Sequence, residues 1–180
     1  MLALTTGARQ GELLALQWDN VDLERGVMEI RRTIQHVPKK GWVIQDPKTP
    51  SSRRAVILLG AAIDTLKEHR ERQERERMVA GQDWQENGLV FTTRRGTPLD
   101  GSNVTNQYFR PLLKRAGLPQ IRFHDLRHST ASLLMALGVQ IKVVSEILGH
   151  SSTLITTKFY QHTTPALHQD AVARLGGALF

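Results

Sequence analysis

The 180-residue sequence has no cysteine. That excludes a disulfide framework, a thiol nucleophile and any thiolate metal site. Aromatic residues make up only 6% of the chain, and just two are tyrosines, Tyr108 and Tyr160. No apolar run approaches the roughly 20 residues that cross a bilayer. The opening Met1-Leu2-Ala3-Leu4 runs straight into Thr5-Thr6-Gly7, without the basic stretch and long apolar core of a secretory signal. Acids are in deficit: 17 Asp and Glu face 24 Lys and Arg, for a net charge of +7. What is present, 40% hydrophobic and 23% charged residues, suits one globular domain with a sizeable core. The expectation is a cytoplasmic protein, not a membrane one, whose partner is acidic, with nucleic acid the first candidate.

The position of the charge narrows this. Residues 1–24 carry −3, residues 25–54 carry +6, residues 55–93 carry −2, residues 94–122 carry +5 and the remainder +1. Two concentrated basic blocks suit a groove that follows phosphates better than scattered surface lysines would.

The pattern predicts a helix from Leu2 to Leu16, interrupted near Gly7. Strands are expected at Val27–Ile34, Trp42–Gln45 and Arg54–Leu59, separated by Pro38, Gly41, Pro47 and Pro50, and together they suggest a small three-stranded antiparallel sheet. A helix follows from Ala61 to Ala80, with Glu68→Arg72 and Glu71→Arg75 at i,i+4 spacing. Its residues 67–77 hold five bases and four acids, so it reads as a solvated helix rather than a nucleic-acid face. Leu89-Val90-Phe91 is a short strand by pattern, Gly96-Thr97-Pro98 a turn, and Asn103–Ala116 a helix stopped by Gly117. The last third is helical: Leu126–Leu137 up to Gly138, Ile141–Leu148 up to Gly149, then Ile155–Tyr160 and Pro165–Leu175.

Three constellations could carry function. His124-Asp125-Leu126-Arg127-His128 places two histidines at i,i+4, like the zinc-binding H-E-x-x-H, but Asp125 is a carbon too short for the base and Arg127 would set a fixed cation beside the metal. No metal and no cofactor are expected. Thr130–Leu137, Gly138 and Ile141–Leu148 have the lengths of a helix-turn-helix, which would suggest a DNA-binding regulator. The third comprises His124 and Arg127 at i,i+3, His150 in Leu148-Gly149-His150-Ser151-Ser152, and Tyr160 in Tyr160-Gln161-His162.

Here the chain resembles the tyrosine recombinases of the phage-integrase family. Thr6-Gly7-Ala8-Arg9-Gln10-Gly11-Glu12-Leu13 is similar to the first arginine motif, and Asp46-Pro47-Lys48-Thr49-Pro50-Ser51-Ser52-Arg53-Arg54 to the lysine segment. His124-Asp125-Leu126-Arg127-His128-Ser129 is similar to the H-x-x-R box, and Leu148–Ser152 through Tyr160 to the closing histidine and nucleophile. The motifs span Thr6 to His162 in family order.

The resemblance implies an α+β, mainly α, catalytic-domain fold with a small three-stranded antiparallel sheet packed on a helical bundle. It implies a site built from Arg9, Lys48, His124, Arg127, His150 and the nucleophile Tyr160. In the family the tyrosine attacks a DNA phosphodiester, leaving a 3′-phosphotyrosine and a free 5′-hydroxyl, without metal or nucleotide. Arginines suit the anionic transition state, because a guanidinium stays charged and forks two donors onto phosphate oxygens. Lys48 is the candidate general acid for the departing 5′-oxygen, since an ammonium can release a proton. The implied partners are double-stranded DNA and further recombinase protomers, a tetramer on DNA in the family. Residues 1–180 are expected to be the catalytic domain alone, without the family's N-terminal core-binding domain and with a truncated start.

Blander readings stand beside these. Arg9 could pair with Glu12 on one helix face, and Lys48 could be a solvated turn lysine. Arg53, Arg54, Arg94 and Arg95 suit phosphate-backbone contacts or a solvated face. His128 and His162 read as local hydrogen-bond partners, and His36, His69 and His168 as surface residues. A fragment that only binds DNA, a helix-turn-helix regulator and a topoisomerase-like relaxing enzyme are the rival functions.

Overall fold

The computed structural model describes residues 1–46 and 53–149. Lys48, His150, Tyr160 and the two helices expected beyond residue 150 lie outside the described residues.

The chain opens with helix α1 (Leu2–Thr6) and, after a corner at Gly7, helix α2 (Gln10–Leu14). Gly7 has φ 62, and a Cβ there would lie 2.3 Å from Leu148 Cδ2. Glycine is therefore required twice over, for a left-handed backbone and for the close approach of a distant helix.

Strands β1 (Val21–Asp22), β2 (Val27–Ile30) and β5 (Arg54–Ile57) form a three-stranded antiparallel sheet in the order β1-β2-β5. Met28 pairs with Val56, and Ile30 with Arg54. The expected membership needs correction: strands β3 (Thr33–Val37) and β4 (Gly41–Gln45) make a separate hairpin, so Trp42–Gln45 is not part of that sheet. The physical reason is the parity of Arg32. Met28, Ile30 and Ile34 are buried, and an unbroken strand would turn Arg32 to the same inner face. Instead the chain breaks at the exposed Arg31-Arg32, and Ile34 packs with Leu14 and Ala15 while Ile30 stays in the main core.

Helix α3 (Gly60–Ala80) lies against the sheet through Ala62 and Leu66. Its organising residue is Gln73, which is buried. Gln73 Oε1 accepts from Trp18 Nε1 at 2.7 Å, while Nε2 donates to the carbonyls of Leu89 (3.1 Å) and Val90 (3.0 Å) and to Thr92 Oγ1 (2.9 Å). These bonds explain why Leu89-Val90-Phe91 forms no strand, only a single bridge from Leu89 to Gln17. Side chains take the carbonyls that a ladder would have used. His69 is not simply a surface residue either: it is half-buried, stacks on Phe91 and donates to the Val90 carbonyl at 2.6 Å, while Arg72 bonds its other ring nitrogen.

Helix α4 (Gly101–Asn103), a π-helical stretch over Val104–Phe109 and helix α5 (Arg110–Arg115) form one continuous helical segment. Helices α6 (Asp125–Ala136) and α7 (Ile141–Leu148) pack on each other around Ala131, Val144 and Leu148. Thr130 Oγ1 donates to the Leu4 carbonyl at 2.6 Å, which fixes α6 against α1. Among the described residues no helix is long and apolar enough to cross a membrane.

Candidate active site

The first turn of α6 meets the corner between α1 and α2, and the junction is polar. Arg127, in the first turn of α6, is 4% exposed, and its Nη1 donates to the Gly7 carbonyl at 2.7 Å from a residue 120 positions away. Two residues beyond Gly7, Arg9 sits at the N-cap of α2 with an extended backbone (φ −70, ψ 152). Its side chain is 41% exposed and pairs with Glu12 at 2.7 Å. The i,i+3 pair with Glu12 therefore exists, and the guanidinium nonetheless remains partly open to solvent.

His124 is the N-cap residue of α6. Its pKa is lowered below the ordinary 6.5, first by partial burial and then by the nearby charges of His128, Arg127, Arg9 and Arg122. Its ring meets that of His128 edge-on, with centroids 5.1 Å apart. Asp125, the expected base of a zinc reading, is otherwise engaged. Its carboxylate accepts from the backbone N–H of Arg122 at 2.8 Å and from Arg122 Nη2 at 2.8 Å, and these bonds hold its pKa down. Among the described residues there is no group of three or more His, Asp or Glu side chains arranged to hold a metal ion.

Glu12 lies beneath this junction, 6% exposed. It accepts from the Arg9 backbone N–H (2.8 Å), from Arg9 Nη1 (2.7 Å) and from Arg54 Nη2 (3.0 Å). Burial pushes its pKa up, yet the Arg54 and Arg9 bonds outweigh that and leave it lowered. Arg54 is thus a buried partner of Glu12 rather than a freely exposed basic side chain. Its side chain is only 6% exposed, because Glu12 requires a cation and the strand pairing of Ile30 with Arg54 delivers one.

Arg53 behaves differently. It is exposed, pairs with Asp46 at 3.0 Å and lines a groove together with Arg31, Arg32 and Glu29. Sequence reasoning passed over Arg31 and Arg32, whose position at the strand break is the signal that could have found them. Arg94 and Arg95 are exposed on a turn and line a second groove with Arg72 and Arg75 of α3. The structure does not bring that groove into the bonded network of Arg9, Glu12, Arg54 and Arg127. The helix-turn-helix pair, α6 and α7, is also engaged internally: Leu148 is fully buried, and the Ile147 carbonyl accepts from Arg54 Nε at 2.8 Å.

Comparison with known proteins gives a consistent result. A tyrosine recombinase XerC-like protein of Caldanaerobacter subterraneus subsp. tengcongensis is 41% identical over 186 residues, covering 97% of this chain and 47% of that protein. The Tn1549 transposon integrase in complex with transposon right end DNA superposes with a TM-score of 0.82 at 22% identity, over 97% of this chain and 57% of that one. The XerH site-specific recombinase bound to difH substrate gives a TM-score of 0.67 at 28% identity, over 94% and 42%. The chain spans about half the length of the curated relatives it matches. Its fold is that of the tyrosine recombinase catalytic domain, helix-rich with small antiparallel sheets, and the helix-turn-helix regulator is not favoured. Residues 1–166, which include the Arg9, His124 and Arg127 junction, match the phage integrase family, and the chain belongs to that family.

Proposed function

We propose that this chain catalyses DNA strand breakage and rejoining as a site-specific recombinase or integrase, acting on double-stranded DNA. The observation that supports the reading is the bond from the buried Arg127 to the Gly7 carbonyl, which ties the H-x-x-R box of α6 to the corner that precedes Arg9. In this reading Arg9, His124 and Arg127, drawn from the two ends of the described chain, act on one phosphate. The XerC-like and integrase relatives, and neighbours solved on DNA, support the same substrate class.

In this reading Arg9 and Arg127 hold the non-bridging oxygens of one phosphodiester, where negative charge gathers in the transition state. The Tyr160 oxygen bonds to phosphorus as the bond from phosphorus to the 5′-oxygen breaks. The phenolic proton leaves with help from His124 or His150, and Lys48 gives a proton to the departing 5′-oxygen. The reverse attack by a 5′-hydroxyl restores the diester, and strand exchange follows when that hydroxyl belongs to a second duplex. Recombination between two duplexes calls for further protomers on the DNA, and a bacterial or phage nucleoid is where such a substrate lies. No metal or nucleotide enters this scheme.

A nicked suicide duplex tests the reading. The expected product is an SDS-resistant protein–DNA adduct that forms in EDTA and disappears in Tyr160→Phe. Tight sequence-selective binding with no adduct on any duplex would instead indicate a regulator. Relaxation of arbitrary supercoiled DNA without recombinants would indicate a topoisomerase-like enzyme.

A further inference from the structure

We infer that Arg54 is a positioning residue for the DNA-cleavage reaction, a clamp that fixes the Arg9 guanidinium through Glu12 and ties the start of α2 to the end of α7. The inference rests on the function proposed above and extends it to a residue outside the reacting set.

Three observations on one side chain carry it. First, Arg54 Nη2 and Nη1 reach the two Glu12 oxygens at 3.0 and 3.4 Å, and the same carboxylate holds Arg9 by its backbone and its side chain. A carboxylate bound on both sides presents Arg9 in one orientation, whereas a carboxylate bound by Arg9 alone could turn with it. Second, Arg54 Nε donates to the Ile147 carbonyl at 2.8 Å, in the last turn of α7. Third, the Arg54 side chain lies against the backbone of Gly149, where a Cβ would fall 2.8 Å from Nη1 and 3.0 Å from Cδ. Gly149 has φ 66 and is followed in the chain by His150. One guanidinium on β5 thus joins two segments, α2 and the end of α7, that are remote from it and from each other in sequence.

Chemistry explains why arginine is suited to this place. Lysine carries the same charge, but its donors radiate from a single nitrogen, whereas the guanidinium reaches the Ile147 carbonyl through Nε and both Glu12 oxygens through Nη1 and Nη2, three separated atoms held in one plane. Arg54 directs Nε to the Ile147 carbonyl and Nη1 and Nη2 to Glu12, which is the pattern of a positioning residue rather than a phosphate contact. Its loss should therefore act on the reaction rate rather than on DNA affinity. The charged groups bonded to Glu12 are Arg9 and Arg54, so removing Arg54 leaves burial less opposed and moves the Glu12 pKa upward.

The test uses the full chain with Arg54→Lys, Arg54→Met and the paired Glu12→Gln with Arg54→Met, which leaves no uncompensated buried carboxylate. Three readouts apply: duplex affinity, single-turnover adduct rate at saturating DNA against pH, and the NMR signal of the Arg9 Nε–H. In Arg54→Lys the adduct rate is expected to fall by about 100-fold with affinity changed by less than about threefold, and the Arg9 signal to broaden. In Arg54→Met the acid limb of the rate profile should move to higher pH. The paired variant should fold and remain slow. A parent-like rate in Arg54→Lys or in the paired variant overturns the inference. An affinity loss matching the rate loss overturns it too, since Arg54 would then be a DNA contact. If the parent forms no adduct, the proposed function fails, and the Arg9 signal in Arg54→Lys still decides whether Arg54 holds Arg9 in place.

Discussion

His124 stands among cations, and at neutral pH it does not add to them. Partial burial comes first in lowering its pKa, followed by repulsion from His128, Arg127, Arg9 and Arg122. A phosphodiester entering between Arg9 and Arg127 would cancel that repulsion and draw a proton onto the imidazole. Duplex binding should therefore tighten as pH falls from 7.5 through the ordinary histidine range, by at most about tenfold per pH unit for one proton. His124→Gln should flatten the dependence, as measured by fluorescence anisotropy across that range. For the unliganded fold the sign is opposite. A histidine whose folded pKa lies below 6.5 binds fewer protons than in the unfolded chain, so stability declines as pH falls from about 6.5. Glu12 adds a second window lower down. Its depressed carboxylate stabilises the fold above the ordinary value of 4.5, and that contribution is lost as pH falls through its folded pKa.

At the scale of elements, Gln73 shows how a polar side chain can organise a core. It joins α3 to Trp18 and to the carbonyls of Leu89 and Val90, in place of a strand pairing. Gln73→Leu would nearly keep the volume but leave Trp18 Nε1 and the Leu89 carbonyl without this partner, while the Val90 carbonyl keeps His69. The expected cost is about 3 kcal/mol, since each buried group left without a bond costs roughly 1–3 kcal/mol. Thermal melting should show this as a drop of about 6–12 °C for a chain of this length. Met78→Gln on the same helix, at a side chain 71% exposed, should change stability by less than about 0.5 kcal/mol.

The Gln73 case also marks what the sequence could reveal. Helices α6 and α7 were readable because apolar spacing and the stops at Gly138 and Gly149 agree, and both glycines take positive φ. Gln73 was not readable, because one polar residue among nine charged neighbours looks like solvent-facing sequence. The strand break at Arg32 lay open to a parity argument, but the spaced β-branched residues Val27, Ile30, Thr33 and Ile34 read as one strand and concealed it. In the site, Arg9, His124 and Arg127 stand in recognisable boxes. The buried role of Arg54 does not: Glu12 already has a local partner in Arg9, and nothing in spacing announces a second from a strand 42 residues away.

For the whole molecule, the two basic blocks differ in what they can offer to DNA. The block at 25–54 carries +6 by sequence, but the fold withdraws Arg54 into the Glu12 pair and sets Arg31 against Glu29 and Arg53 against Asp46. The block at 94–122 carries +5 and presents Arg94 and Arg95 on an exposed turn. Helix α3 lies between them in sequence with its charges nearly balanced. If duplex DNA crosses both blocks, each contributes counterion release, and the logarithm of affinity should fall steeply with that of salt concentration. Each phosphate contact adds about 0.9 to that slope, so Arg31→Gln with Arg32→Gln should reduce it by up to about 1.8, and Arg94→Gln with Arg95→Gln by a similar amount. Arg77→Gln, on α3 and already paired with Glu86, should leave it unchanged. A slope that responds to the 94–95 pair alone would confine the duplex to one side of the molecule. A slope that responds to both pairs would place it across Arg31-Arg32 and the exposed turn at once.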